Sequence, residues 1–441
     1  MDILDMVREA GVIGSGGAGF PTHVKLKAHA EYILLNGAEC EPLLRVDQQI
    51  MAVHAEEIIR GLLLGKEITG AKEAIIGIKE KHHDVIQILE DKIREIGRQD
   101  DMRVGILPDV YPAGDEQVLV YELTGRVVPE TGIPIMVGCV VMNSETALNV
   151  YHASLGKPVT EKYVTVAGDV PNPVTVKVPV GTPLQELFRY AGRENLAGHQ
   201  VIDGGPMMGS LLRDPNGFVT KKTKGLVVLP ADHNLIQKKS REMRSALRLD
   251  RAACEQCSMC TDLCPRHLLG HSTVPHKMVR AVAYGAMADE KVTASLTCSQ
   301  CNLCEYFSCP AGINPKMANV YYMQQLREKG IRHTPKDSFT PDTMRAYRMI
   351  PSKRLVLRLN IKRYDVSAPI DESPRVDLSR AGIMLNDHVG APALPIVAVG
   401  DYVAAGQKIG EIKEGALGAA VHASISGVVE SIENNRIIIR R

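Results

Sequence analysis

The sequence predicts a multidomain chain of mixed α/β and α+β class. Three observations predict it. Residues 1–155 alternate strand and helix patterns, as an α/β layer does. Residues 161–192 and 371–441 switch to short, alternating β patterns. Between them, eight of the ten cysteines fall inside Cys254–Cys309, among helical stretches. A chain of 441 residues has room for about three or four domains. Lys and Arg number 52 against 51 Asp and Glu, a net charge of +1. Neither nucleic acid nor an anionic membrane surface is therefore an expected partner. Trp is absent and aromatics are 4%, so Val, Ile, Leu and Met must fill the cores. No long charge-free apolar run predicts a transmembrane helix. Met1-Asp-Ile-Leu-Asp5 has neither the basic nor the apolar region of a signal peptide. Clustered reduced thiols fit a cytoplasmic setting.

The N-terminal domain, expected over 1–156, opens with a short helix at Asp2–Ala10. Gly14-Ser-Gly-Gly17-Ala-Gly19-Phe-Pro-Thr22 follows. Gly14-x-Gly16-x-x-Gly19 has the letters of a dinucleotide fingerprint, but that fingerprint follows a strand and opens a helix. Here a helix precedes it. Its chemistry is still informative, because glycines let backbone N–H groups approach a phosphate as a nest does. A purely structural glycine turn is the alternative. Tyr32–Asn36 reads as an apolar strand, and Gly37-Ala-Glu39-Cys40-Glu41-Pro42 as the loop after it. Glu39 and Glu41 thus sit where open α/β sheets bind ligands, or are solvated loop carboxylates. Ala74–Ile78 and Val104–Leu107 read as further strands. Val85, Leu89, Ile93 and Ile96 form one stripe of an amphipathic helix, and another helix is expected near Asp115–Leu123.

Residues 157–235 predict a small β-grasp module. Tyr163–Asp169 and Pro173–Val178 alternate as a hairpin does, and Thr182-Pro183 starts a helix running to about Tyr190. Val201–Gly209 then supplies a strand and the turn Gly204-Gly-Pro-Met-Met-Gly209.

Residues 236–335 carry the cysteines among helices such as Lys277–Ala286. Cys254-x2-Cys257-x2-Cys260-x3-Cys264-Pro265 matches the spacing of a [4Fe–4S] site. Cys298-x2-Cys301-x2-Cys304-x4-Cys309-Pro310 departs from it by one residue. Three thiolates two residues apart wrap one face of a cubane, and the fourth ligates the other cluster in two-cluster proteins. The expected sets are therefore Cys254, Cys257, Cys260 and Cys309, and Cys298, Cys301, Cys304 and Cys264. The extra residue falls in the crossing chain, where a loop can absorb it. Structural zinc is the competing reading, but a zinc ribbon uses two pairs, not two triplets each followed by Cys-Pro. Residues 336–370 are basic and Pro-interrupted, and read as a linker. Residues 371–441 read as short strands around tight turns, from Ile396 through His422-Ala-Ser-Ile-Ser-Gly427-Val-Val.

These residues carry a family resemblance. Gly14–Thr22, Asn36–Pro42 and Glu145-Thr146-Ala147-Leu148 resemble the flavin-binding segments of the NADH-oxidising subunit of respiratory complex I. Ala38-Glu-Cys-Glu-Pro42 and the Gly204–Gly209 turn are similar to stretches of the Rnf complex C subunit. The β-grasp region resembles that family's soluble-ligand-binding (SLBB) module. The C-terminal segment resembles a barrel-sandwich hybrid, the fold of lipoyl and biotinyl domains, without their modified Lys. With that domain last, the chain is most similar to the cobalamin reductases of propanediol-utilisation microcompartments.

The resemblance implies FMN in the N-terminal domain, reduced by NADH. Gly14, Gly16, Gly17 and Gly19 would cradle the FMN phosphate, with Lys25 beside it. Asn36 and Glu39 would contact the flavin, and Glu145 and Thr146 would close the pocket. Electrons would pass through two [4Fe–4S] clusters to cobalamin, or to an adenosyltransferase that uses it. In an Rnf-like role the acceptor would be ferredoxin or a partner complex. The implied setting is the cytoplasm or a bacterial microcompartment, whose shell proteins would be further partners.

Overall fold

The computed structural model describes residues 2–441. The N-terminal domain is a parallel sheet covered on both faces. It starts with helices α1 (Ile3–Glu9) and α2 (Thr22–Leu26), with the glycine loop between them. Strand β1 (Tyr32–Asn36) leads to α3 (Val46–Val53) and α4 (Ala55–Thr69). Then come β2 (Glu73–Lys79), α5 (His83–Glu95), β3 (Met102–Leu107) and the short β4 (Val110–Tyr111). Helix α6 (Glu116–Thr124), β5 (Cys139–Asn143) and α7 (Ser144–Ser154) complete it. The sheet order is β3-β2-β1-β5, all parallel. Ile33, Leu35, Ala74 and Ile76 face one core, and Leu34, Ile75 and Val141 the other. Cover on both faces is why Tyr32–Asn36 reads as an unbroken apolar run rather than an alternating one. Asp115 caps α6 by accepting from the Gln117 and Val118 amides, as a short carboxylate at an N-cap does.

The next module is a six-stranded sheet around one helix. The hairpin β6 (Glu161–Gly168) and β7 (Val174–Pro179) precedes α8 (Leu184–Tyr190). Strands β8 (His199–Asp203), β9 (Ser210–Leu211) and β10 (Gly225–Pro230) follow, with β10 parallel to β6. Val164, Val166, Val176 and Val178 close over Leu187 and Phe188 of the helix.

Helices α9 (Asn234–Lys239) and α10 (Met243–Ala253) lead into the cysteine-bearing domain. It contains α11 (Met259–Asp262), α12 (Pro265–Leu268), α13 (Pro275–Ala283) and α14 (Pro315–Glu328). Its core joins Met278, Val279 and Val282 to Ala318, Tyr322 and Leu326.

The stretch 336–370 is not a linker, and the expectation is corrected here. After α15 (Arg345–Arg348), β11 (Ile350–Pro351) pairs antiparallel with β4. Helix α16 (Ser352–Arg358) buries Leu355 and Val356, and Leu359, Ile361 and Tyr364 follow them inward. These side chains share one core with Tyr111, Met207, Val227, Leu303 and Tyr306. Strand β12 (Ile370–Asp371) then joins the β-grasp sheet beside β7. The strap therefore ties three domains together. Its basic residues and prolines mask a short apolar pattern whose partners are distant in sequence.

The C-terminal domain packs two small sheets. One has β13 (Arg380–Met384), β15 (Tyr402–Val403), β18 (Gly427–Glu433) and β19 (Arg436–Arg440). The other has β14 (Leu394–Pro395), β16 (Lys408–Glu411) and β17 (Val421–His422). Lys221, buried in the β-grasp module, donates to Gly11 O at 2.8 Å and to Ala420 O at 3.0 Å. One ammonium thus pins the first, second and last domains at a common junction. No helix among the described residues is long and apolar enough to cross a membrane.

Candidate active site and electron-transfer centres

The order β3-β2-β1-β5 has its switch point between β1 and β5, since the chain leaves β1 toward β2 on one side and returns to β5 on the other. Ligands of open α/β sheets lie outside the carboxyl ends of the strands at such a point. Here those ends carry Asn36 and Asn143. The glycine loop lies against Asn143. The Ser15 amide donates to Thr146 Oγ1 at 3.0 Å. A Cβ on Gly16 would stand 2.3 Å from the Asn143 amide nitrogen. The loop is therefore held against β5 and the start of α7. At Gly17 an added Cβ would meet no heavy atom within 4 Å, so this is the open side of the loop. Gly19 has φ +76°, and a Cβ there would lie 2.9 Å from Asp387 O of the C-terminal domain.

Asn36 faces the turn that follows β4. Its amide donates to Gly114 O at 2.9 Å. The Gly114 amide in turn donates to Cys40 Sγ at 2.6 Å. Lys25 Nζ donates to Val141 O at 2.7 Å and pairs with Glu116 at 2.9 Å. It is therefore engaged, not a free cation.

The acidic residues are committed elsewhere. Glu39 Oε2 accepts from the Asp47 amide at 2.7 Å, and its carboxylate lies 3.4 Å from Lys224 of the β-grasp module. Glu145 pairs with Lys162, both side chains being almost fully buried. Its other oxygen accepts from the Tyr163 amide at 3.2 Å. Both carboxylates thus join domains. Glu41 accepts from the Met207 and Met208 amides at 2.8 and 2.7 Å. That bond links the Ala38–Pro42 loop to the Gly204–Gly209 turn, two motifs far apart in sequence. Burial pushes the Glu41 carboxyl up, and the two amides oppose the shift.

The Glu145–Lys162 pair carries a stability prediction. Removing one partner of a buried pair leaves the other charge unsolvated, at a cost of about 3–5 kcal/mol. Lys162→Met should therefore lower the melting temperature of the N-terminal half measurably by circular dichroism. Glu145→Met/Lys162→Met should recover much of the loss. An unshifted melt in the single variant would show that the pair is not what joins these domains.

The eight cysteines separate into two groups. Cys254, Cys257, Cys260 and Cys309 line one cavity. Cys264, Cys298, Cys301 and Cys304 line another. The backbone makes the same wrap in both triplets. Gln256 and Ser258 flank Cys257 with φ 52° and 62°, and Gln300 and Asn302 flank Cys301 with φ 57° and 63°. Left-handed conformation costs roughly 1–2 kcal/mol per non-glycine residue. Four such residues at matched positions around two thiols suit a loop shaped to wrap a cluster. The donor set suits it too, since thiolates are the ligands of [4Fe–4S] centres. Burial pushes Cys260 and Cys301 up to about 12, helped at Cys260 by neighbouring thiols and opposed at Cys301 by the Leu303 amide. Cluster ligands are thiolates, so metal binding displaces their protons. The extra residue before Cys309 is not absorbed by a loop. Cys304–Ser308 forms a π-helical turn, the helical form that accommodates one inserted residue.

The second group adjoins the sheet. Tyr111 Oη donates to Cys301 O at 2.7 Å. Arg266, two residues after Cys264, pairs with Asp115 at 3.0 Å. Asn302 Nδ2 donates to Met207 O at 2.7 Å. Asn143, Gly114 and Tyr111 went unnoticed in the sequence. Asn143 could have been found as the counterpart of Asn36, an Asn closing an apolar strand. The other two have no local signal.

Comparison with known proteins follows the same divisions. Residues 7–152 match the Nuo51 FMN-binding domain and residues 163–210 the SLBB domain. Residues 253–314 match the 4Fe-4S dicluster domain and residues 362–440 the RnfC barrel sandwich hybrid domain. The chain is 35% identical over 272 residues to the C subunit of the Na(+)-translocating ferredoxin:NAD(+) oxidoreductase complex of Acetobacterium woodii. That match covers 60% of this chain and 58% of the relative. Identity reaches 44% over 442 residues with cobalamin reductase PduS of Citrobacter freundii, covering 100% of this chain and 96% of the relative. The PduS of Salmonella typhimurium gives 44% over 444 residues with the same coverage. Likeness of this extent, spanning all four domains in order, makes the chain a member of the PduS cobalamin reductase family.

Proposed function

We propose that this chain oxidises NADH at FMN and passes the electrons through two [4Fe–4S] clusters to cobalamin. The observation that carries the reading is the switch point between β1 and β5, whose carboxyl ends are Asn36 and Asn143. A glycine loop is held there against the sheet, and a four-cysteine site begins on the far side of the Val110–Asp115 turn. Whole-length likeness to cobalamin reductases supports this acceptor over ferredoxin, since the Rnf-type relative matches only part of the chain. FMN supplies the conversion of a two-electron hydride into single electrons. NADH yields NAD+, one proton and two electrons, and two electrons take cob(III)alamin to cob(I)alamin.

The chain's residues bind and separate these steps. Backbone amides around Gly16 and Gly17 would receive the phosphate at the open side of the loop. Thr146 and Asn143 fix the loop's position. Asn36, held by Gly114 O, would border the flavin. Glu39, Glu145 and Lys25 act indirectly, by holding the surrounding elements. Cys254, Cys257, Cys260 and Cys309 hold one cluster, and Cys264, Cys298, Cys301 and Cys304 the other. By the same resemblance, an adenosyltransferase receives the reduced corrinoid, and the setting is a microcompartment. Co-fractionation with shell proteins tests that setting.

The test of the reading has two parts. Anaerobically reconstituted protein should hold about eight irons per chain, with matching acid-labile sulfide. NADH should then bleach the flavin, and added hydroxocobalamin should be reduced. Stoichiometric zinc in place of iron sinks the cluster assignment. Reduction of ferredoxin but not of cobalamin turns the reading to an Rnf-like role.

A further inference from the structure

The two cysteine sites are not placed alike relative to the sheet. The turn Val110–Asp115 makes four fixed contacts. On one side, Gly114 O accepts from Asn36 at 2.9 Å and the Gly114 amide donates to Cys40 Sγ at 2.6 Å. On the other, Tyr111 Oη donates to Cys301 O at 2.7 Å and Asp115 pairs with Arg266 at 3.0 Å. Tyr111 is 2% exposed, and β11 pairs with β4 at its base. The turn is thus clamped between the crevice and the site of Cys264, Cys298, Cys301 and Cys304. Among the described residues no hydrogen bond or ion pair joins the turn to the other site, whose one tie to the strap is Arg358 donating to Cys309 O at 3.2 Å. Cys254 and Cys309 pack with α10, α13 and α14 inside their own domain. Cys257 is exposed, and its neighbour Met259 is 43% exposed.

We infer that the Val110–Asp115 turn is the electron bridge out of the crevice, that the site of Cys264, Cys298, Cys301 and Cys304 receives electrons first, and that the site of Cys254, Cys257, Cys260 and Cys309 is the exit. The inference rests on the flavin and cluster reading above. Each NADH releases two electrons and one proton. The proton leaves to solvent at the crevice, and the electrons cross the bridge one at a time. The first site holds one electron while the second passes the other outward, so no co-reactant beyond NADH and the final acceptor is needed. Tyr111 is a positioning residue. Its hydroxyl gives its proton to Cys301 O and so fixes the backbone that sets the Cys301 thiol. Hydrogen bonding around a cluster is one of the levers on its potential.

The test uses the full, reconstituted chain. Wild type, Cys257→Ser, Cys298→Ser and Tyr111→Phe are mixed with NADH and freeze-quenched. Reduced clusters are counted by low-temperature EPR, and dithionite in parallel gives the total reducible. In Cys257→Ser the remaining cluster should be reduced by NADH at the wild-type rate. In Cys298→Ser the remaining cluster should be fully reducible by dithionite, yet reduced by NADH about tenfold more slowly or worse, a barrier increase near 1.4 kcal/mol. The reverse pattern, or equal rates in the two variants, overturns the order. Tyr111→Phe keeps all eight thiols and decides the matter if a serine variant loses both clusters. It should shift the potential of one cluster only and slow its reduction, with the other cluster's potential unchanged. Potentials and rates equal to wild type overturn the bridge. If wild-type clusters respond to dithionite while NADH bleaches flavin without reducing either cluster, the flavin-to-cluster reading itself fails, and that result is distinct from a reversed order.

Discussion

Gly17→Val should purify without FMN while keeping its iron and sulfide. The expected loss is large. Hydrogen bonds to a charged group contribute about 1.5–3 kcal/mol each, so losing two weakens binding by roughly a hundredfold or more. The structure selects this glycine over its neighbours. A side chain at Gly16 would strike Asn143, and one at Gly19 would strike Asp387 O from a left-handed backbone. Either variant would confuse misfolding with lost binding. At Gly17 nothing lies within 4 Å of an added Cβ, and φ is not in the left-handed region. The valine therefore enters only the space that the phosphate would take. Flavin content by absorbance, beside iron content and a thermal melt, checks the result. Normal FMN content in a folded variant would make the loop structural and move the phosphate elsewhere.

What the sequence shows and what it hides divides along the range of the interactions. Tyr32–Asn36 is legible because a strand buried on both faces needs an unbroken apolar run, and its boundaries match the structure. The thiol sites are legible because cluster geometry fixes local spacing. The roles of Glu39 and Glu145 are not legible. A carboxylate beside a glycine loop looks the same whether it faces ligand or a lysine from the next domain. Lys224 and Lys162 lie 185 and 17 residues away, and neither position marks them as partners. The strap 336–370 fails for the same reason. Ile350 pairs with Tyr111, 239 residues earlier, and a two-residue strand leaves no periodicity. The extra residue before Cys309 is visible as an insertion. Its resolution as a π turn, with Tyr306 in a core shared with the strap and the β-grasp module, involves partners distant in sequence.

In Cys309→Ser, NADH should still bleach the flavin within one turnover, while cobalamin reduction slows about tenfold or more, at least 1.4 kcal/mol in the barrier. Flavin bleaching is preserved because Cys309 shares a core with α13 and α14, apart from the crevice residues. Acceptor reduction is lost because serine oxygen is a poorer iron ligand than thiolate. The cluster to suffer is the one wrapped by Cys254, Cys257 and Cys260, not the one held by Cys309's sequence neighbours Cys301 and Cys304. Cys309 lines the cavity of the first triplet, and Cys264 lines that of the second. The EPR signal left in Cys309→Ser should therefore match that of Cys254→Ser and differ from that of Cys298→Ser. Stopped-flow absorbance separates the two steps, with flavin and corrinoid followed at their own wavelengths. A residual signal matching Cys298→Ser would mean that the chains do not cross between sites. Unchanged cobalamin reduction would mean that the acceptor takes electrons without this cluster. Slowed bleaching would mean that damage at Cys309 reaches the NADH site, and the separation of crevice from exit would have to be abandoned.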